Sequence, residues 1–268
     1  MNATIELKTI APQEALFLLE NLHDNQRSIR TKAVSILEKE MRQGTFKLST
    51  DAILILRGKL GNGQHRLTAV VQSGKPQQFL VLKTNDESIY KVLDCGMRRT
   101  IGDAMNLANQ TNIVAAARWI MAMESGQATP ASGLTNFSVP RSQVMQFIET
   151  NIDHLQEATR ETSQLYSKSF LLSKAIATAF LCVAQRKSKA TGEAAFDLLE
   201  VVYTGRVSYG PANDLRNRMI ANRGSKAKLS QAYIMGLLIK TFIDRVNGRN
   251  VTMLRFFAGE NYPKFPVL

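Results

Sequence analysis

The sequence is poor in cysteine, in proline and in long apolar runs, and each shortage excludes a class of protein. Its two cysteines, Cys95 and Cys182, are too few for a disulfide framework and lack the spacing of a zinc site. Seven prolines in 268 residues exclude a collagen-like or proline-rich chain. No uncharged stretch reaches the ~18 apolar residues of a membrane-spanning helix, and residues 1–8 lack the pattern of a signal peptide. We therefore expect a protein of a reducing, cytoplasmic compartment with no membrane partner.

What the sequence does contain is typical of a folded globular protein. Hydrophobic residues make up 44% of the chain and charged residues 21%, which excludes a wholly disordered protein. At ~100 to 200 residues per domain, a chain of this length forms one large domain or two of ordinary size. No period of ~20 to 50 residues repeats along the chain, and this excludes solenoids and propellers.

Basic residues outnumber acidic ones in this chain. The chain has 34 Lys and Arg against 22 Asp and Glu, a formal net charge of +12 and a pI of about 9.9. Residues 205–255 hold ten of these basic residues and two acidic ones. Localised positive charge is typical of proteins that bind a phosphate backbone, and a solvated helix face of a basic protein is the alternative. The candidate nucleic-acid-binding residues are Arg216, Arg218, Arg223, Lys226 and Lys228.

The pattern of hydrophobic residues changes near residue 110. Before it, short apolar runs at 52–56, 79–82 and 90–93 predict buried strands, and the spacing at 12–23 and 28–44 predicts helices, the second capped by Ser28. After it, the pattern predicts only helices, at 112–124, 138–165, 171–185, 194–203 and 229–246. We therefore predict an α+β protein, with a mixed domain at 1–110 and an all-helical domain at 111–268 that carries the basic 205–255 segment.

The segment Gly61–Arg66 predicts a glycine turn that opens a short helix ending at Gly74. Glycine lets the backbone approach a ligand closely, and the amides of a helix start face an anion. His65 is suited to donating to a phosphate or transferring a proton, and Arg66 adds a charged fork. The alternative is a structural turn in which Arg66 pairs with a carboxylate such as Asp94.

A second polar turn follows the third predicted strand. It contains Asp94, Arg98 and Arg99, and it precedes a helix for which Thr100 and Asp103 predict a capping box. Asp94 is a candidate for orienting the first turn or holding a metal ion, and the two arginines are candidates for completing a phosphate site. A structural pairing of aspartate with arginine is the alternative.

The order of these features resembles the ParB/sulfiredoxin-like superfamily. The shared features are a proline-started helix, the stretch Arg27–Arg30, a helix ending at Gly44, an apolar strand, and the run Asn-Gly-Gln-His-Arg-Leu-x-Ala from Asn62 to Ala69. Within the superfamily, the chain is more similar to the Asp-Gly-Gln-His-Arg branch of bacteria and phages, which includes DndB-like proteins of DNA phosphorothioation systems. The resemblance covers about residues 8–105. The helical half resembles the C-terminal part of uncharacterised phage and bacterial proteins and implies no activity.

This resemblance implies a ParB/sulfiredoxin-like N-terminal domain with a cradle for a phosphate or a nucleotide, and the candidate cofactor is CTP or ATP with Mg²⁺. Together with the basic helical half, it favours a DNA-associated protein in bacterial cytoplasm, encoded by the bacterium or by a phage. It places Gly63, His65 and Arg66 at the phosphates, and we add Gln64 of the same turn as a candidate contact. Gln64 stands where sulfiredoxin has its nucleophilic cysteine, so the reduction of sulfinic acid is excluded. The same glutamine replaces the acidic residue of the ParB turn, and Asn62 replaces the leading aspartate of the branch. We therefore expect binding rather than catalysis.

Three functions stay open at this point. The first is a DNA-associated protein with a phosphate or nucleotide at the loop. The second is a phosphoryl-transfer or nuclease enzyme in which His65 is the acid/base and Asp94 holds Mg²⁺. The third is a phage-encoded interaction protein with a vestigial site and no cofactor. The sequence identifies no set of metal ligands, and a homodimer is a further open alternative.

Overall fold

The chain combines α-helices with a four-stranded sheet, as the predicted α+β class requires. The structure, a computed structural model, describes residues 3–24, 28–92, 100–135, 137–249, 255 and 260–268. Two compact units divide the chain: Met1–Arg98 with Ser138–Ser142, and Arg99–Phe137 with Gln143–Leu268. The whole sheet belongs to the first unit.

The sheet has the strand order β1-β4-β2-β3. Its strands are β1 (Ala3–Ile10), β2 (Ile53–Leu56), β3 (Lys59–Asn62) and β4 (Gln77–Thr84). β4 runs antiparallel to β1 and parallel to β2, and β3 runs antiparallel to β2. A bridge from Leu22 to Leu60 extends the sheet beyond β3, and the amide of His23 donates to the carbonyl of Leu60 at 3.0 Å. One edge of the sheet is therefore covered by residues 21–23, and β1 forms the other edge.

Two of the three predicted strands are confirmed, at β2 and β4, and the third is wrong. Residues Glu87–Val92 form a 3₁₀ helix instead, and residue 93 lies outside the described residues. The turn begins where the carboxylate of Asp86 accepts a hydrogen bond from the amide of Ser88 at 2.9 Å, a local contact that favours a turn over a strand. β1 and β3 were not among the predicted strands.

Three helices pack on the sheet: α1 (Pro12–Glu20), α2 (Thr31–Arg42) and α3 (Gln64–Ser73). Their buried residues share one core with the sheet residues Ile10, Ile53, Phe79 and Val81. α1 begins at Pro12 as predicted but ends at Glu20, because the chain then turns to form the bridge at Leu22. α2 is capped by Arg30, so the predicted cap at Ser28 is wrong.

The turn from β3 into α3 requires glycine, and the predicted glycine turn is confirmed. Gly63 has a φ of +110°, and a β-carbon there would lie 2.4 Å from Cδ1 of Ile53. L-residues rarely adopt this backbone conformation, and no other side chain fits against Ile53. At the other end of α3, Gly74 is the predicted C-cap, with a φ of +66° and nothing within 4 Å of its missing β-carbon.

The second unit is helical in the part that the structure describes. Its helices are α4 (Ile101–Met105), α5 (Gln110–Glu124), α6 (Arg141–Thr150, which begins in the first unit), α7 (Ile152–Tyr166), α8 (Lys174–Lys187), α9 (Lys189–Thr204), α10 (Pro211–Gly224) and α11 (Gln231–Val246). A single helix over 138–165 was predicted, and this is wrong. The chain breaks at Asn151, whose side-chain amide donates to the carbonyl of Phe147 at 2.8 Å, which favours a helix end. α10 was not predicted as a separate helix.

Helix α8 is largely apolar and is the centre of the second unit. Every residue from Ile176 to Ala184 is buried, and α5, α7, α9 and α11 pack around the helix. Burial raises the pKa of the Cys182 thiol to about 12, so this cysteine is a core residue and not a nucleophile. Although α8 is apolar, neither it nor any other helix among the described residues is long and apolar enough to cross a membrane.

The end of the chain docks on this core. The ring of Phe265 lies 5.3 Å from that of Phe180 and 6.1 Å from that of Phe242, measured between centroids. The hydroxyl of Tyr262 donates to the carbonyl of Ala232 at 3.0 Å. These aromatic residues therefore pack on the bundle instead of forming a stacking surface for bases.

We expect Gly63→Ala to cost ~2–4 kcal/mol of unfolding free energy, because it combines backbone strain with a clash against Ile53. Gly74→Ala is the matched control, and it should cost only the strain of ~1 kcal/mol. Urea unfolding followed by far-UV circular dichroism measures both, and the fluorescence of Trp119 monitors the second unit.

Removing Cδ1 with Ile53→Val should recover part of the loss in the Gly63→Ala background. Equal costs for the two glycine substitutions would show that the contact with Ile53 does not constrain the turn.

Candidate functional site

Helices α2 and α3 lie side by side and run in the same direction. At their N-terminal ends, the amide of Arg30 donates to Nε2 of His65 at 2.9 Å. At their C-terminal ends, Nη2 of Arg42 donates to the carbonyl of Gln72 at 2.9 Å. A helix carries a partial positive charge at its N-terminus, so the two aligned ends generate positive potential around Arg30 and His65.

The first turn of α3 contains the four predicted phosphate contacts, and the structure gives each of them a different environment. Gly63 is the buried N-cap, held against Ile53. Gln64 is only 4% exposed, so its side chain is turned into the protein and away from solvent. A phosphate in solvent could reach this side chain only if the first turn opened.

His65 is partly buried and holds the start of α2 in place. Because a backbone N–H can only donate, Nε2 accepts the hydrogen bond from Arg30, and the neutral ring carries its proton on Nδ1. To act as an acid or base through Nε2, the imidazole would first have to release this amide. In this geometry His65 positions α2, and Nδ1 is the ring nitrogen with a proton to donate.

Arg66 ties α3 to the chain just before β2. Its guanidinium donates from Nη1 to the carbonyl of Asp51 and from Nη2 to the carbonyl of Ala52, the latter at 2.9 Å. A planar fork of two donors suits a pair of neighbouring carbonyls. Arg66 therefore has a structural role, because it fixes α3 to the residues that precede β2.

The second predicted turn is described only from Thr100 onward. Asp94, Cys95, Arg98 and Arg99 lie outside the described residues. The capping box that follows is confirmed: the amide of Asp103 donates to Oγ1 of Thr100 at 3.1 Å, and the amide of Thr100 donates to Oδ2 of Asp103 at 2.8 Å. Within the described ranges, no group of three or more His, Cys, Asp or Glu side chains could hold a metal ion.

Three of the five predicted nucleic-acid-binding residues make contacts that stabilise the second unit. Arg216 donates to the carbonyls of Val202 and Tyr203 at the C-terminal end of α9, the latter at 2.9 Å. Lys228 donates to the carbonyl of Asn222 at 3.0 Å, near the C-terminal end of α10. Cations at these positions satisfy the last carbonyls of a helix and interact favourably with its dipole. Arg218 lies over the ring of Tyr233, 5.5 Å from the centroid.

Arg223 and Lys226 are exposed at the end of α10 and in the turn that follows. We refer to Arg223, Lys226 and Lys228 as the basic turn. The next helix, α11, is buried over most of its length, so it is not available to enter a DNA groove. The positive charge of this segment is therefore presented by the end of α10 and the connection to α11.

Sequence reasoning did not identify Arg30 as a site residue. It lies in the stretch that carries the resemblance, but its contact with His65 joins positions 35 residues apart. No local pattern signals a hydrogen bond between a backbone amide and a side chain at that separation. The capping role of Lys228 had a weak signal, because it closely follows the end of α10 in the sequence. Arg216 had none, because it lies inside α10 and reaches the end of α9 only through the fold.

Comparison with protein-family models, with curated proteins and with solved structures finds no match for this chain.

We expect Arg66→Lys to cost ~1–2 kcal/mol of unfolding free energy, because an ammonium cannot reproduce the two-donor fork to Asp51 and Ala52. Arg30→Lys, at an exposed side chain of the same unit, should change stability by less than ~0.5 kcal/mol. Urea unfolding by far-UV circular dichroism distinguishes them. Equal free energies of unfolding for the two variants would contradict the structural role of Arg66.

Proposed function

We propose that the protein associates with DNA and that its N-terminal unit, ParB/sulfiredoxin-like in arrangement, binds a phosphate-bearing ligand such as a nucleotide. The observation that carries the ligand site is the hydrogen bond from Arg30 to His65, which brings the N-terminal ends of α2 and α3 together. Helix N-termini favour anions. The resemblance supports the same location, because its phosphate loop corresponds to the first turn of α3.

The charge pattern of the two helix starts supports an anionic ligand. Helices usually carry Asp or Glu in the first turn, where the dipole favours negative charge. Neither α2 nor α3 has an acidic residue there. Arg30 and Lys32 begin α2 with exposed positive side chains, and His65 and Arg66 lie in the first turn of α3. Cations at the positive end of a helix dipole are electrostatically unfavourable, and a bound phosphate would offset this repulsion.

Binding fits this geometry better than catalysis does. Nε2 of His65 accepts the amide of α2, so the atom that would serve as a base already has a structural partner. We therefore assign His65 a positioning role at the ligand site. Phosphoryl transfer or phosphodiester cleavage at the loop, and a vestigial loop without ligand, are the competing outcomes of the test below.

The DNA-binding part of the proposal rests on the basic turn. Residues 205–230 contain six Lys and Arg against one acidic residue, Asp214. Lys228 closes the end of α10 and so orders the turn, and Arg223 and Lys226 are exposed beside it. Exposed cations on an ordered turn provide contacts to a phosphate backbone, which position a protein on DNA without reading its sequence.

For the ligand site, we expect CTP or ATP to raise the melting temperature, because a ligand that binds only the native state stabilises it. Arg30→Glu should weaken that binding about tenfold or more, since a hydrogen bond to a charged group contributes ~1.5–3 kcal/mol. Lys75→Glu is the matched control: it makes the same charge change on an exposed residue at the other end of α3. Thermal shift with CTP, ATP, GTP and inorganic phosphate, with and without Mg²⁺, is the measurement.

Equal losses in Arg30→Glu and Lys75→Glu would mean non-specific attraction and would contradict the site. Metal-dependent turnover that His65→Ala abolishes in a folded protein would support the enzyme instead. No shift with any nucleotide or with phosphate would support a vestigial loop.

For the basic turn, we expect the double variant Arg223→Glu/Lys226→Glu to bind a short DNA duplex more weakly, with a salt dependence whose slope is smaller by about 1.8 (~0.9 for each lost phosphate contact). Arg160→Glu/Lys168→Glu is the matched control, because it changes the net charge equally at two exposed positions of the same unit. Fluorescence anisotropy across a range of salt concentrations provides both the affinity for the duplex and the slope of its salt dependence. If the control loses as much affinity and slope, the basic turn is not the DNA surface.

A further inference from the structure

Strand β1 presents an open edge of the sheet. All eight of its residues pair with β4 in one unbroken register, from Ala3 with Thr84 to Ile10 with Gln77. It is the terminal strand of the sheet order, and within the described part of the chain no strand lies on its other side. The opposite edge is covered by the Leu22 bridge. A long edge strand without proline or a bulge is a template for pairing with another strand.

This edge also carries exposed apolar side chains. Ile5 is 67% exposed and Leu7 is 56% exposed. Their partners in β4 are Leu82 and Leu80, which are half-buried, so all four residues lie on the same face of the sheet. The next strand continues this row with Leu54, which pairs with Leu82 and is buried. An apolar row thus runs from the interior of the sheet to its outer edge and ends in solvent.

The sequence of β1 is complementary to itself when two copies run antiparallel about Leu7. In that register Leu7 faces the partner's Leu7, and Ile5 faces the partner's Thr9. Glu6 faces the partner's Lys8 on both sides of the two-fold axis, so the pairing creates two cross-strand pairs of opposite charge. Such pairs stabilise neighbouring strands, and like charges at the same positions would oppose them. A two-fold interface requires this kind of self-complementarity.

We propose that β1 pairs antiparallel with β1 of a second copy of this chain, centred on Leu7, to form one continuous sheet across a homodimer. The pairing extends the apolar row of each copy with Ile5 and Leu7 of the other, and backbone hydrogen bonds across the edge supply affinity, as in other cases of strand addition. This inference concerns association of the chain with itself and does not depend on the ligand or DNA sites.

Existing ion pairs at β1 are compatible with this arrangement. Glu6 contacts Lys83 of its own chain at 2.7 Å, and Lys8 contacts Glu14. The side chains of Glu6 and Lys8 are 47% and 41% exposed. Exposed pairs of this kind contribute ~0–1 kcal/mol, and a carboxylate has room for a second donor. Exchanging the charges at positions 6 and 8 should therefore leave the monomer folded.

Sedimentation equilibrium of the full chain tests the proposal. The wild type should show twice the chain mass of 29.8 kDa. Glu6→Lys alone and Lys8→Glu alone should each weaken the dimer about tenfold or more, because each creates two like-charge pairs. The double variant Glu6→Lys/Lys8→Glu should restore it. An equimolar mixture of the two single variants should also dimerise, because every cross-strand pair in the mixed dimer is again of opposite charge.

Restoration of the dimer by the double variant and by the mixture distinguishes pairing between chains from the loss of ion pairs within one chain. In the double variant both contacts, with Lys83 and with Glu14, stay disrupted, and in the mixture each chain still lacks the contact that its own substitution removed. Only pairing between copies can therefore restore the dimer. Leu7→Lys should dissociate the dimer, and Leu16→Lys, at a residue of α1 that is 50% exposed, should not. Circular dichroism verifies the fold of each variant. If Leu7→Lys unfolds, the double variant Glu6→Lys/Lys8→Glu and the mixture of single variants test the dimer without it.

A wild type that sediments as a monomer up to ~0.1 mM would overturn the proposal. It would also be overturned by a dimer that the two single charge variants leave intact, or by a double variant and a mixture that stay monomeric.

Discussion

The side chain of Ile53 fills the space that a β-carbon at residue 63 would need, and the position of α3 depends on this contact. Because the chain turns there with a left-handed backbone, β3 leads straight into the helix. One turn later Arg66 reaches the carbonyls that precede β2. The helix is thus attached to two strands, and α2 aligns along it through His65. The proposed ligand site is therefore a product of sheet and helix packing.

Part of the positive charge of this protein is used to hold its own backbone in place. Arg66, Arg216 and Lys228 all donate to carbonyl oxygens, at the start of a strand or near the end of a helix. The formal charge of +12 therefore includes cations whose side chains are already engaged with the backbone. In the sequence these residues cannot be told apart from Arg223 or Lys226, because the distinction depends on which carbonyls the fold brings near each of them. Only the exposed cations are candidates for phosphate contacts that leave the fold intact.

Sequence reasoning succeeded where the signal is local. The turn at Gly63, the end of α3 at Gly74 and the capping box at Thr100 were predicted from a few neighbouring residues, and the structure confirms them. It failed where an element depends on a distant partner. β3 contains a single leucine and a glycine, and it is a strand because it pairs with β2. The contact of Arg30 with His65 is equally non-local, so the start of α2 was misplaced at Ser28. The resemblance to ParB-like proteins stays a hypothesis about the same loop.

The connection between α1 and α2 is attached to the rest of the unit at two points, the bridge at Leu22 and the amide of Arg30. The chain is bound to β3 at Leu22 and His23 and to α3 at Arg30, and β3 and α3 are themselves joined at Gly63. Leu22, His23 and Arg30 are therefore each held by a neighbouring element of the same unit. On the α2 side, this attachment is the hydrogen bond from the amide of Arg30 to His65. The exchange rate of the Arg30 amide hydrogen with deuterium reports how often this hydrogen bond breaks at the proposed ligand site.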